Sequence, residues 1–111
     1  MGSALLVFVG GGLGAVLRYL AGLFAPGPLT IMAINIAGSF LIGLSIAIPA
    51  GPQRLFLTVG LLGGFTTFSA FSLDALQLWQ RGQVGLALAY VLGTTILSLA
   101  AVVAAAWLVR P

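Results

Sequence analysis

Four apolar stretches, separated by short clusters of proline, glycine and arginine, organise the chain. They run over residues 3–23, 29–48, 55–79 and 84–109. About 20 apolar residues are needed to cross the hydrocarbon of a bilayer as a helix, so each stretch predicts one transmembrane helix. Pro26-Gly27-Pro28 and Pro49-Ala50-Gly51-Pro52 punctuate the first two connections, as turn-forming residues do. The expectation is an all-α membrane protein, with residues 1–111 forming a single four-span domain. The first stretch has neither the basic start nor the small-residue cleavage site of a signal peptide.

The polar positions inside these stretches modify that picture most in the third. Gly60-Leu-Leu-Gly-Gly-Phe-Thr-Thr-Phe-Ser-Ala-Phe-Ser-Leu-Asp74 places glycines, hydroxyls and an acid in the middle of an apolar run. Glycine costs a helix about 1 kcal/mol relative to alanine, and Ser and Thr compete for backbone bonds. One reading is a helix broken near its middle, since irregular backbone in a membrane is tolerated where it lines a polar cavity. The other is a small-residue face for close helix packing.

Elsewhere the polar residues are few. In the first span, Gly10 and Gly14 fit close helix approach, and Arg18 with Tyr19 reads as an interfacial anchor. In the second, Asn35 is either interhelical glue, worth ~0.6 kcal/mol on average, or an amide donor to a passing anion. In the fourth, Tyr90, Thr94 and Ser98 recur every four residues and share one helical face. Three hydroxyls in register suggest a polar track, although a lone Ser or Thr in a membrane helix normally bonds its own backbone. Phe68 and Phe71 also share a face, and alone they would read as packing residues.

Composition narrows the chemistry. The 111 residues are 61% hydrophobic and 5% charged, with no cysteine and no histidine. Disulfides, thiol chemistry and the usual metal-ligand sets are therefore excluded. Asp74 is the single acid, and the basic residues are Arg18, Arg54, Arg81 and Arg110. Catalytic triads and carboxylate cages cannot be assembled from this inventory, so an enzyme is not expected. The high pI reflects few charges, not a basic patch, which argues against nucleic acid as a partner. Four spans place Arg54 and Arg110 on one side and Arg18 and Arg81 on the other. That even split gives the positive-inside rule no excess to act on and is compatible with insertion in both orientations. Amides, hydroxyls and ring edges without acids favour a small anion as the permeant species.

Gly-Gly-x-Gly-x-x-x-Arg-Tyr (Gly11 to Tyr19), Asn35-x-x-Gly38-Ser39-Phe40 and Gly63-Gly64-x-Thr66-Thr67-Phe68-Ser69-x-Phe71-Ser72 together resemble the Fluc (CrcB) fluoride channel family. The resemblance covers all four spans in order, and the third motif is the specific one. It implies an antiparallel, dual-topology homodimer in the cell (plasma or inner) membrane, with two fluoride pores. It implies that Asn35, Phe68, Ser69, Phe71, Tyr90, Thr94 and Ser98 line the pore. It places Arg18, and with it Asp74, at a vestibule. It also implies a structural sodium ion at the dimer axis, held by the backbone carbonyls of Gly63 and Thr66 from both subunits. Two positions depart from the pattern: Ala70 stands where a hydroxyl is common, and Asp74 where Glu is expected. The rival reading is a proton-coupled exporter of the small multidrug resistance type, which needs a membrane-embedded acid, typically in the first span.

Overall fold

The computed structural model describes residues 2–111. Among the described residues are six α-helical segments: α1 (Gly2–Phe24), α2 (Pro28–Leu44), α3 (Pro52–Leu55), α4 (Gly63–Phe65), α5 (Phe68–Gln80) and α6 (Val84–Val109). A 3-10 turn over Ser45–Ala47 closes α2, and a π-helical stretch over Phe56–Leu62 joins α3 to α4. No strand occurs among the described residues. Four helical units, Gly2–Phe24, Pro28–Ala47, Pro52–Gln80 and Val84–Val109, are long and apolar enough to cross a membrane. The chain is accordingly a multi-pass membrane protein.

The ends of these units follow from their residues. Pro28 and Pro52 occupy the first turns of α2 and α3, where a missing N–H costs nothing because that donor has no helical partner. Gly27 precedes α2 with φ 123°, a conformation that side-chain-bearing residues rarely adopt. The third unit therefore starts at Pro52, three residues before the point where its apolar run begins.

Within that unit the glycines remain helical. Gly63 and Gly64 lie in α4, whereas Thr66 (φ −80°, ψ 156°) and Thr67 (φ −154°, ψ 128°) are extended, and α5 begins at Phe68. The glycines instead allow two backbones to meet. A β-carbon added to Gly10 would lie 2.9 Å from the Phe56 carbonyl oxygen, and one added to Gly60 would lie 3.2 Å from the Gly10 Cα. Gly14 meets the Leu61 carbonyl, and Gly64 meets Gly11, in the same way. In this manner α1 docks along the π stretch and α4, as small residues permit in membranes. On the other side α2 packs along most of α6. Gly43 sits there, where an added β-carbon would lie only 2.6 Å from the Val102 carbonyl oxygen. Phe71, Leu78, Ala87 and Tyr90 form the buried cluster between α5 and α6. At one end, the Arg110 guanidinium lies 3.5 Å from the centre of the Trp107 ring, a cation–π pair of the kind that anchors helix ends.

Candidate functional site

The extended pair Thr66–Thr67 opens onto a cleft of about 550 Å³ between α2, α5 and α6. Asn35 and Ser39 line it from α2, and Phe68 and Phe71 from α5. Gly63 and Thr66 contribute from the middle of the third unit, and Thr94, Thr95 and Ser98 from α6. No charged residue is among the lining.

Each side chain is held by local chemistry. Asn35 lies across the extended pair: its Nδ2 donates to the Thr67 carbonyl at 2.9 Å, and its Oδ1 accepts from the Thr67 amide at 2.8 Å. Thr67 is also the N-cap of α5, its Oγ1 accepting from the Ala70 amide at 3.1 Å. Such a cap satisfies one of the orphan donors at a helix start. Its hydroxyl lies 3.2 Å from that of Ser69. The Thr66 hydroxyl turns back to the Leu62 carbonyl at 3.0 Å. A β-carbon at Gly38 would collide with the Thr66 methyl group, so only glycine leaves room there.

The hydroxyls of α6 divide into two kinds. Thr95 donates to the Val91 carbonyl at 2.8 Å, the usual local bond in a helix. The Thr94 and Ser98 hydroxyl oxygens are buried and find no hydrogen-bond partner among the described residues. Both residues line the cleft. A buried hydroxyl left unpaired costs about 1–3 kcal/mol, so these two invite a ligand or water.

The phenylalanines differ in exposure. Phe71 is 5% exposed and Phe68 77%, with their ring centroids 5.4 Å apart and tilted by 56°. Phe71 in turn stands 5.2 Å from the Tyr90 ring. Tilted pairs at such distances turn a positive ring edge toward a neighbour.

Not every residue singled out from the sequence reaches the cleft. Asn35, Gly63, Thr66, Phe68, Phe71, Thr94 and Ser98 do. Tyr90 lies behind Phe71, where its hydroxyl donates to Asp74 Oδ2 at 3.2 Å, and it lines a separate apolar cavity of about 460 Å³ beside Pro26 and Pro28. The acid and the tyrosine thus form one unit. Arg18 lies on α1, half-buried, its Nε without a hydrogen-bond partner among the described residues. Ser69 is exposed at the start of α5. Gly63 is helical (φ −62°, ψ −37°) and does not belong to an unwound stretch. Ser39, Thr67 and Thr95 also line the cleft; Ser39 and Thr67 fall within the sequence motifs without a pore role there, and Thr95 lies outside them. For Thr67 a signal existed, because a threonine immediately before an apolar helical run is a common N-cap.

Known proteins share much of this sequence. Residues 5–106 match the family described as CrcB-like protein, Camphor Resistance (CrcB). The chain is 53% identical over 107 residues to the fluoride-specific ion channel FluC of Paracoccus denitrificans, covering 88% of this chain and 86% of the relative. It is 48% identical over 111 residues to the protein of the same name from Agrobacterium fabrum, covering 89% of each. With that from Cereibacter sphaeroides it shares 49% identity over 117 aligned positions, covering 97% of this chain and 94% of the relative.

Proposed function

Since the chain belongs to the CrcB family, we propose that it is a fluoride-selective anion channel and not an enzyme. It lets cytoplasmic fluoride leave passively across the cell membrane. The observation that carries this reading is the uncharged cleft in which the Thr94 and Ser98 hydroxyls stand unpartnered beside the Phe68–Phe71 ring pair. Fluoride is small and strongly hydrated, so a pathway must offer several close donors as water is shed. Hydroxyl protons and ring edges do this without a fixed positive charge. Binding then stays weak enough for release, as conduction requires. The amino-terminal end of α5, at Phe68, adds the positive end of a helix dipole.

In this reading residues 1–111 are one four-span domain, with the third span broken at Thr66–Thr67. Asn35, Phe68, Ser69, Phe71, Tyr90, Thr94 and Ser98 serve the fluoride path, and Arg18 and Asp74 serve its vestibule. The working unit is an antiparallel homodimer with two pores. The large exposed apolar faces of the single chain are compatible with burial against lipid and a second copy.

A structural sodium ion completes the proposal. The helical donors to the Gly63 and Thr66 carbonyls would be the amides of Thr67 and Ala70, and both are bonded to side-chain oxygens instead. Two neutral carbonyls per subunit, without a carboxylate, suit a monovalent cation better than Ca²⁺, which takes six to eight oxygens. When bound, the ion would supply positive charge and hold the two copies together.

Fluoride efflux from proteoliposomes, run beside chloride and an organic cation, tests the reading. Selective fluoride efflux supports it. Proton-driven movement of the organic cation would instead favour an exporter of the small multidrug resistance type, and no transport at all would make the polar residues packing elements.

A further inference from the structure

In an uninterrupted helix, each carbonyl accepts from the amide four residues on. At the middle of the third unit two such amides are captured by side chains. The Thr67 amide, which would close on Gly63, donates to Asn35 Oδ1 at 2.8 Å. The Ala70 amide, which would close on Thr66, donates to Thr67 Oγ1 at 3.1 Å. Asn35 Nδ2 donates back to the Thr67 carbonyl at 2.9 Å. The asparagine side chain thereby pairs with both polar groups of one extended residue, 32 positions away in the chain. Gly63 keeps helical dihedrals; it is the extended Thr66, with ψ 156°, that swings the Thr67 amide off the Gly63 carbonyl and onto Asn35 Oδ1.

We propose that Asn35 and Thr67 are positioning residues for the cation. By bonding the Thr67 and Ala70 amides, their side chains hold the extended turn at Thr66–Thr67 that leaves the Gly63 and Thr66 carbonyls without helical donors and available to a monovalent ion. This assignment rests on the reading of those carbonyls as a sodium site. It gives Asn35 a second role beyond lining the cleft. A side-chain amide nitrogen carries two protons. One is donated to Thr67, which leaves the other for the cleft. The same residue therefore borders the anion path and shapes the cation's ligands. Thr67 captures the Ala70 amide through its hydroxyl and meets Asn35 through its backbone, so the first bond can be removed by substitution while the groups that make the others stay. Valine keeps the branched shape and the extended backbone preference but removes the acceptor, whereas serine keeps the acceptor.

The test is sodium-dependent thermal unfolding of the full chain in detergent, with N-methyl-D-glucamine replacing sodium at constant ionic strength. A cation that binds only the folded state raises its midpoint as concentration rises. The wild type is expected to show that rise, and Thr67→Ser to match it. Thr67→Val and Asn35→Leu are each expected to need about tenfold more sodium, or more, for half the shift, the usual cost of losing an outer-shell partner. A Thr67→Val variant that responds at the wild-type sodium concentration overturns the assignment while leaving the sodium site intact. The Thr67 pair decides the matter alone should Asn35→Leu fail to fold. A wild type indifferent to sodium has a different meaning: the site itself is then wrong, and this assignment falls with it.

Discussion

Thr94 and Thr95 are neighbours on α6, yet only one of them satisfies its own hydroxyl. Thr95 bonds the Val91 carbonyl, whereas Thr94, 4% exposed, bonds nothing among the described residues. Replacing Thr94 by valine keeps its shape and removes an unpaired buried dipole. Stability should therefore stay level or rise by up to about 1 kcal/mol, while fluoride flux falls. Unfolding in detergent and a fluoride electrode read the two effects separately, and a variant with undiminished flux would remove Thr94 from the path. The phenylalanines divide in a similar way. Phe68→Ile and Phe71→Ile should both strongly reduce flux, since each loses a ring edge. Only Phe71→Ile should also cost about 1 kcal/mol of stability, because Phe71 is buried and its ring meets both Phe68 and Tyr90. Normal conduction by both variants would make the rings packing residues.

Among the elements, the contact of α1 with the π stretch sets the tolerance to change. A methyl group at Gly14 would run into the Leu61 carbonyl, whereas one at Gly22 would meet nothing. Gly14→Ala should thus destabilise the fold by about 1–3 kcal/mol through overpacking. Gly22→Ala should be neutral or stabilising, by up to about 1 kcal/mol, from helix propensity. Equal stability of the two variants in denaturant would show that α1 does not dock so closely. The same contact explains why glycines cluster in the first and third units. They permit close approach of two backbones, and their helical dihedrals show that flexibility is not what they supply here.

For the whole molecule, the even placement of Arg18, Arg54, Arg81 and Arg110 bears on orientation. Two lysines added within residues 50–54 should bias insertion and lower activity, because an antiparallel pair needs chains of both orientations. Co-expression with a copy biased the opposite way should restore it. Full activity from one biased chain alone would rule out obligate dual topology.

Much of this was legible along the chain because it is local physics. Apolar runs of membrane-spanning length mark the four helical units. The four-residue spacing of Tyr90, Thr94 and Ser98 places them on one face of α6 before any neighbour is known. Specific motifs carried the family resemblance, and the match over residues 5–106 bears it out. The pairings between units were not legible. Asn35 meets Thr67, and Tyr90 meets Asp74, only because separate helices dock in one register. That docking draws Tyr90 behind Phe71 while Ser39 and Thr95 come to the cleft. Hydropathy and period report which face of a helix is polar or small. Which atom on that face finds a partner, and which is left free, depends on contacts between distant segments, and those exist only once the helices have packed.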